Sequence, residues 1–108
     1  MKNILWLDDI RDPKDYIKTD DVYWVKTFYE FCGYLETFGL PKKVFFDHDL
    51  GDDNHNGHDC AQVLCEWCLQ NGWLHLPEWE IQSANPVGRQ NITSTLNSYE
   101  KARQMSQN

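Results

Sequence analysis

Short apolar runs alternate along the chain with stretches whose apolar residues recur at helical spacing. The first run, NILWL at 3–7, ends abruptly in Asp8-Asp9. Asp12-Pro13 marks a turn or a short helix start, and the run VYWV at 22–25 follows. Thr27, three residues before Glu30, opens a helix in the pattern of a capping box. Phe28, Phe31, Cys32, Leu35 and Phe38 form its apolar stripe, and Gly39 and Pro41 end it. A third run, 44–47, closes in Asp47-His48-Asp49. The polar loop 50–56 comes next, with Asp52 and Asp53 expected to be solvated. A helix over 57–70 is capped by Asn56 and stopped by Asn71-Gly72. Residues 79–83 form the fourth strand. Asn85-Pro86 then reads as N-cap and first-turn proline of a last helix, with Ile92, Leu96 and Tyr99 on its buried side. The tail after Met105 is expected to fray.

Strands that alternate with helices predict an α/β fold with a parallel sheet covered on both faces. The runs at 3–7 and 44–47 are almost continuously apolar, as central parallel strands are. No linker or repeat divides the chain, so residues 1–108 read as one domain. A flavodoxin-like order 2-1-3-4 puts the ligand crevice beyond the carboxyl ends of strands 1 and 3. Asp8-Asp9 ends one of these strands and Asp47-His48-Asp49 ends the other. Carboxylates brought that close repel one another, and a divalent cation relieves the repulsion. An all-oxygen ligand set suits Mg²⁺ or Mn²⁺. Asp8, Asp9, Asp47 and Asp49 are therefore the candidate metal ligands.

The opposite wall differs in chemistry. Ser83, Asn85 and Gly88 surround the start of the last helix, whose free amides favour an anion. Arg89 and Arg11 bring guanidinium groups that can fork onto a phosphate. His48, between two carboxylates, is the candidate proton donor, with Asp9 and Asp47 as its catalytic companions. His58, in the first turn of its helix, is within reach of the same crevice. An acidic wall for a metal beside a basic wall for a phosphate is the pairing that phosphoryl chemistry needs.

Charge narrows the partners. The net charge is -7, which argues against non-specific binding to DNA. No run is apolar enough to cross a membrane, and the start lacks a signal-peptide pattern, so a cytoplasmic site is expected. Cys32, Cys60, Cys65 and Cys68 then read as reduced thiols. The single CxxC at 65–68 lacks two further zinc ligands, and Ala61, Leu64, Cys65, Cys68 and Leu69 share one apolar helix face. The D-x-N-x-N-G pattern at 52–57 starts like a calcium loop, but Val63 stands where the bidentate Glu belongs. Trp24, Trp73 and Trp79 are candidates for stacking on a base, forming a dimer surface, or filling the core.

The full set LDDIRDP at 7–13, DHDLG at 47–51, Asn56-Gly57 and SANPVGR at 83–89 resembles the cyclic-phosphate processing receiver-like family of bacteria and their phages. The resemblance spans nearly the whole chain. It implies a response-regulator receiver fold, a three-layer sandwich here without the usual fifth strand. It also implies action on a cyclic phosphate of a nucleotide or RNA end, in RNA repair or in conflict between phage and host. Asp8, Asp9 and Asp47 match the family's acidic pocket, and Ser83 matches the receiver hydroxyl after strand 4. Two departures stand out. The fifth-strand Lys of phosphoaccepting receivers is missing, and Gln82 occupies a position where the family often has His. Metal-dependent hydrolysis is the first expectation. A binding protein that sequesters a cyclic nucleotide is the second, and a receiver phosphorylated on Asp47 the third. A protein partner is compatible with all three.

Overall fold

A computed structural model of the chain describes residues 2–51 and 54–105. The expectations for Asp52, Asp53 and the tail after Met105 fall outside that range. Strands β1 (Ile4–Leu7), β2 (Val22–Val25), β3 (Lys43–Phe46) and β4 (Glu78–Ile81) alternate with helical segments. These are a 3₁₀ turn (Pro13–Asp15) and helices α1 (Phe28–Phe38), α2 (Gly57–Gln70) and α3 (Pro86–Met105). Every strand pairing is parallel and the sheet order is β2-β1-β3-β4. This is the parallel α/β architecture read from the apolar pattern, in the strand order of the receiver fold that the resemblance implied, but the three helices share one face of the sheet instead of covering both.

Strand limits shift by a residue or two from the sequence reading. Asp47, Gln82 and Ser83 fall just past the paired segments. The ladder nevertheless continues through the backbone: Asp47 N donates to Leu7 O at 2.9 Å and Gln82 N to Phe46 O at 3.0 Å. Asp8 N likewise donates to Val25 O at 3.1 Å. Asp8, Asp47 and Gln82 are thereby aligned along the carboxyl edge of the sheet.

Alternation of side chains decides what each face does. Leu5, Leu7, Val44 and Phe46 join Phe31, Leu35, Cys60, Leu64, Ile92 and Leu96 in one buried core under the three helices. Burying side chains of this size contributes roughly 1.5–3 kcal/mol each. Trp6 and Phe45 are also buried but face the other way, with ring centroids 4.9 Å apart. Their cover is thin, made by the 3₁₀ turn and its flanking loop. Tyr16 stacks on Trp6 at 5.7 Å, and Trp6 Nε1 donates to Arg11 O at 2.9 Å.

The helix faces differ in detail from the expected stripes. On α2 the buried residues are Cys60, Ala61, Leu64 and Cys68, whereas Leu69 is 55% exposed and Cys65 only half-buried. The helix is wedged between α1 and α3, which centres its contact arc on Cys60, Leu64 and Cys68. On α1 Tyr34 is buried while Phe38 lies at the rim. Thr27 caps α1, accepting from Glu30 N at 3.0 Å. Glu30 answers the Thr27 hydroxyl, at 3.4 Å, so the box is incomplete. The reciprocal capping box belongs to α2: Asp59 N donates to Asn56 Oδ1 and Asn56 N to Asp59 Oδ2.

Candidate functional site

Asp8 is fully buried at the end of β1 and is held on all sides. Its Oδ1 accepts from the amides of Ile10 and Arg11 at 2.9 and 2.8 Å. Its Oδ2 accepts from Arg11 Nη1 at 3.1 Å and from Gln82 Nε2 at 3.4 Å. Trp24 Nε1 donates to the Asp8 carbonyl at 2.7 Å. Asp47, 4% exposed, ends β3 beside it. Asp9 follows Asp8 and completes the group. One ligand oxygen from each of Asp8, Asp9 and Asp47 lies within 4.8 Å of the others.

This group is short of cations. Arg11 Nη1 is 3.1 Å from Asp8 Oδ2 and 3.6 Å from Asp47 Oδ1, one positive charge against three carboxylates. Burial pushes the Asp47 carboxyl up to about 6, with the charges of Asp8 and Asp9 adding to the shift and Arg11 opposing it. Asp9 Oδ1 is closed off from solvent and has no hydrogen-bond partner among the described residues. A buried acceptor without a donor costs about 1–3 kcal/mol or more. An oxygen-only pocket with an orphaned acceptor and a crowded charge fits a small divalent cation.

The other predicted residues gather on the helix side of the same strand ends. His48 N donates to Asp47 Oδ1 at 2.9 Å, which ties the two groups together. The His48 ring lies against Gly88, where an added Cβ would come within 2.3 Å of Cγ. Only glycine lets α3 approach so closely. His48 Nδ1 is 3.0 Å from Asp49 Oδ1, and Asn85 Nδ2 donates to Asp49 Oδ2 at 3.5 Å. The hydrogen bond with His48 holds the Asp49 carboxyl below its usual range. Ser83, 4% exposed, accepts from Asn85 N at 3.1 Å, and Asn85 Oδ1 caps α3 by accepting from Gly88 N at 3.0 Å.

Several placements depart from the sequence reading. Asp49 is not in the carboxylate cluster; it turns away to His48 and Asn85. Arg11, expected on a phosphate, rests on Asp8 and Asp47. Arg89 is bound by Nη1 to the carbonyls of Ile81 at 2.7 Å and Ser83 at 3.2 Å, where it secures the turn after β4. His58 pairs instead with Thr95 at 2.7 Å, between α2 and α3. Trp24 is used as an anchor for Asp8, Trp79 packs on the core, and Trp73, half exposed, lies at the opposite end of the sheet.

Two contributors were not legible as such. Gln82 reaches across β3 and donates to Leu7 O at 3.0 Å as well as toward Asp8. Trp6 fixes the loop that carries Arg11. The advance signal for Gln82 was the resemblance, which often has His at that position, although not its contact with Asp8; Trp6 gave none beyond strand alternation.

A cleft of about 630 Å³ lies at the far end of the sheet between 40–42 and 72–77. It holds none of these carboxylates.

The family model of the cyclic-phosphate processing receiver domain matches residues 3–98. The chain belongs to this family. The match takes in both acidic strand ends and the α3 N-terminus, so the receiver domain includes the whole constellation described above. No curated protein and no solved structure matches it significantly. Among the described residues the sheet of this receiver domain has four strands, and no helix is long and apolar enough to cross a membrane.

Proposed function

We propose that this receiver domain hydrolyses a cyclic phosphate on a nucleotide or RNA end, with Mg²⁺ or Mn²⁺ held by Asp8, Asp9 and Asp47. The observation that carries the reading is the meeting of these three carboxylates within 4.8 Å, with Asp9 Oδ1 left without a donor. When bound, the ion supplies Lewis-acid polarisation of the phosphoryl group and offsets the carboxylate charge. With the carboxylate charge offset by a bound ion, Arg11 would be free to turn from Asp8 and Asp47 to the phosphate oxygens. Its side chain is 29% exposed, which leaves room for this movement. Ser83, Asn85, Gly88 and Arg89 shape the anion-facing wall at the start of α3. His48, oriented by Asp49, supplies the proton. Water adds to phosphorus and releases a proton to solvent, one ribose P–O bond breaks, and the freed ribose oxygen takes the proton of His48, which solvent then restores, leaving a phosphomonoester.

The test is a panel of 2′,3′-cyclic mononucleotides, a cyclic-phosphate-ended RNA and cyclic oligonucleotides. Each is incubated with Mn²⁺, Mg²⁺ or chelator and separated by chromatography. Metal-dependent cleavage that disappears in Asp47→Asn is the expected result. Absence of both cleavage and retention across the panel contradicts the proposal.

A second reading, sequestration without turnover, is favoured by one observation. Gln82 stands next to Asp8 and is neither an acid nor a base. Under this reading the ligand co-elutes intact with the protein, and Gln82→His introduces turnover.

A further inference from the structure

The sheet face opposite the helices carries a second cleft, of about 280 Å³. Trp6, Tyr16, Lys43, Phe45, Glu80 and Gln82 line it. It begins where the carboxylate cluster stops. Gln82 belongs to both, lining the cleft while its Nε2 lies 3.4 Å from Asp8 Oδ2. Strand alternation explains the continuity, because Phe45 and Asp47 are two residues apart on β3 and point to the same face. Their separation is about 6.6 Å along the strand. That is comparable to the span from a ribose-bound phosphorus to the plane of its base.

The lining also suits a base. Tyr16 is 57% exposed and presents its ring at the mouth, while Trp6 and Phe45 form an aromatic wall behind it. Flat heteroaromatic rings stack on such side chains whatever their sequence identity. The polar groups at the edge are a paired Lys43 and Glu80, 2.5 Å apart, a donor beside an acceptor. Gln82 Oε1 is buried and has no hydrogen-bond partner among the described residues. Every common base carries an N–H or amino donor on its pairing edge, so a base can satisfy an acceptor of this kind. The far cleft between 40–42 and 72–77 shares no residue with the carboxylate site.

We infer that this cleft binds the nucleobase of the ligand whose cyclic phosphate lies at Asp8, Asp9 and Asp47. The inference rests on the cyclic-phosphate reading above and adds that the ligand is recognised as a nucleotide and not as a bare sugar phosphate. Base contact comes from Tyr16, and edge contact from Gln82 and the Lys43–Glu80 pair; Phe45, covered by Lys43 and Trp6, backs the cleft.

The test compares adenosine 2′,3′-cyclic phosphate with 1-O-methylribose 2,3-cyclic phosphate, which lacks the base. Both are titrated in Mg²⁺ into the wild-type protein, Tyr16→Ala and Glu80→Ala. Kd is read, or KM where the ligand turns over. Glu80 is exposed, so Glu80→Ala leaves the core intact; Tyr16 covers one face of Trp6, so unchanged sugar-phosphate binding in Tyr16→Ala is the control that the carboxylate site is preserved. The nucleotide is expected to bind about tenfold more tightly than the sugar phosphate, with Tyr16→Ala removing most of that difference and leaving the sugar phosphate unchanged. Equal binding of the two ligands overturns the base cleft but leaves the cyclic-phosphate reading standing. Tighter nucleotide binding that Tyr16→Ala and Glu80→Ala do not alter also overturns it, because the base then sits elsewhere. Binding of neither ligand overturns the cyclic-phosphate reading and the base cleft with it.

Discussion

A Cβ added to Gly57 would lie 1.8 Å from the carbonyl oxygen of Asp47 and 2.9 Å from His48 Cα. The first turn of α2 is therefore pressed directly onto the end of β3, and Gly57 N donates to His48 O at 2.7 Å. A side chain has nowhere to go because the obstacle is backbone. Gly57→Ala is expected to push α2 off the strand at a cost of about 1–3 kcal/mol. Denaturant unfolding measures the loss. Because the displaced backbone is that of Asp47, the variant should also lose stabilisation by Mg²⁺; an unchanged Mg²⁺ effect would show that the cluster does not depend on this contact.

Asp47 predicts a pH dependence with a definite sign. Its carboxyl sits at about 6 in the folded protein against 3.8 as its ordinary value. Between those limits the folded state holds a proton that the unfolded chain has released. Stability from this group therefore falls as pH rises through that window and levels off above it. Asp47→Asn should flatten the slope and raise metal-free stability at pH 7 by up to about 3 kcal/mol. Unfolding free energies from pH 4 to pH 8 check this. A slope of the same size in the variant would assign the effect to another group.

Arg11 pairs with both Asp8 and Asp47, at 3.1 and 3.6 Å. Arg11→Gln leaves three carboxylates without that charge. A loss of about 1.5–3 kcal/mol is expected in chelator, since the lost hydrogen bond goes to a charged acceptor. Millimolar Mg²⁺ should restore more stability to the variant than to the wild type, measured as the shift in Tm. Equal shifts would mean that Arg11 and the cation do not share a site.

The thiols are expected to be inert in the folded protein. Burial pushes Cys65 up to about 12 and Cys68 up to about 11, and raises Cys60 and Cys32 as well. The thiolate is the reactive form, so labelling of Cys60, Cys65 and Cys68 at pH 8 should run roughly a hundredfold slower than in denaturant. Rapid labelling of Cys68 without denaturant would indicate that α2 opens locally.

Much of this domain is written in local chain properties. The order of elements, the parallel sheet and the acidic strand ends follow from apolar periodicity and from where each run stops. Asn56 and Asn85 announce α2 and α3 because capping is a contact between near neighbours. Asp8, Asp9 and Asp47 could be named in advance, since the sheet order brings the ends of β1 and β3 together whatever lies between them.

Tertiary structure decided where the longer and more exposed groups go. Arg11 lies on Asp8 and Asp47 because buried carboxylates outcompete solvent for its guanidinium. Asp49, one residue past His48, is left exposed and pairs with His48 and Asn85, outside the cluster. Leu69 surfaces because two neighbouring helices, and not one stripe, define the buried arc of α2. The cleft of Trp6, Tyr16, Phe45 and Gln82 joins β1, β3, β4 and the loop after the 3₁₀ turn, four segments far apart in sequence. No periodicity within one segment encodes such a surface; it exists only once the parallel register brings those segments side by side.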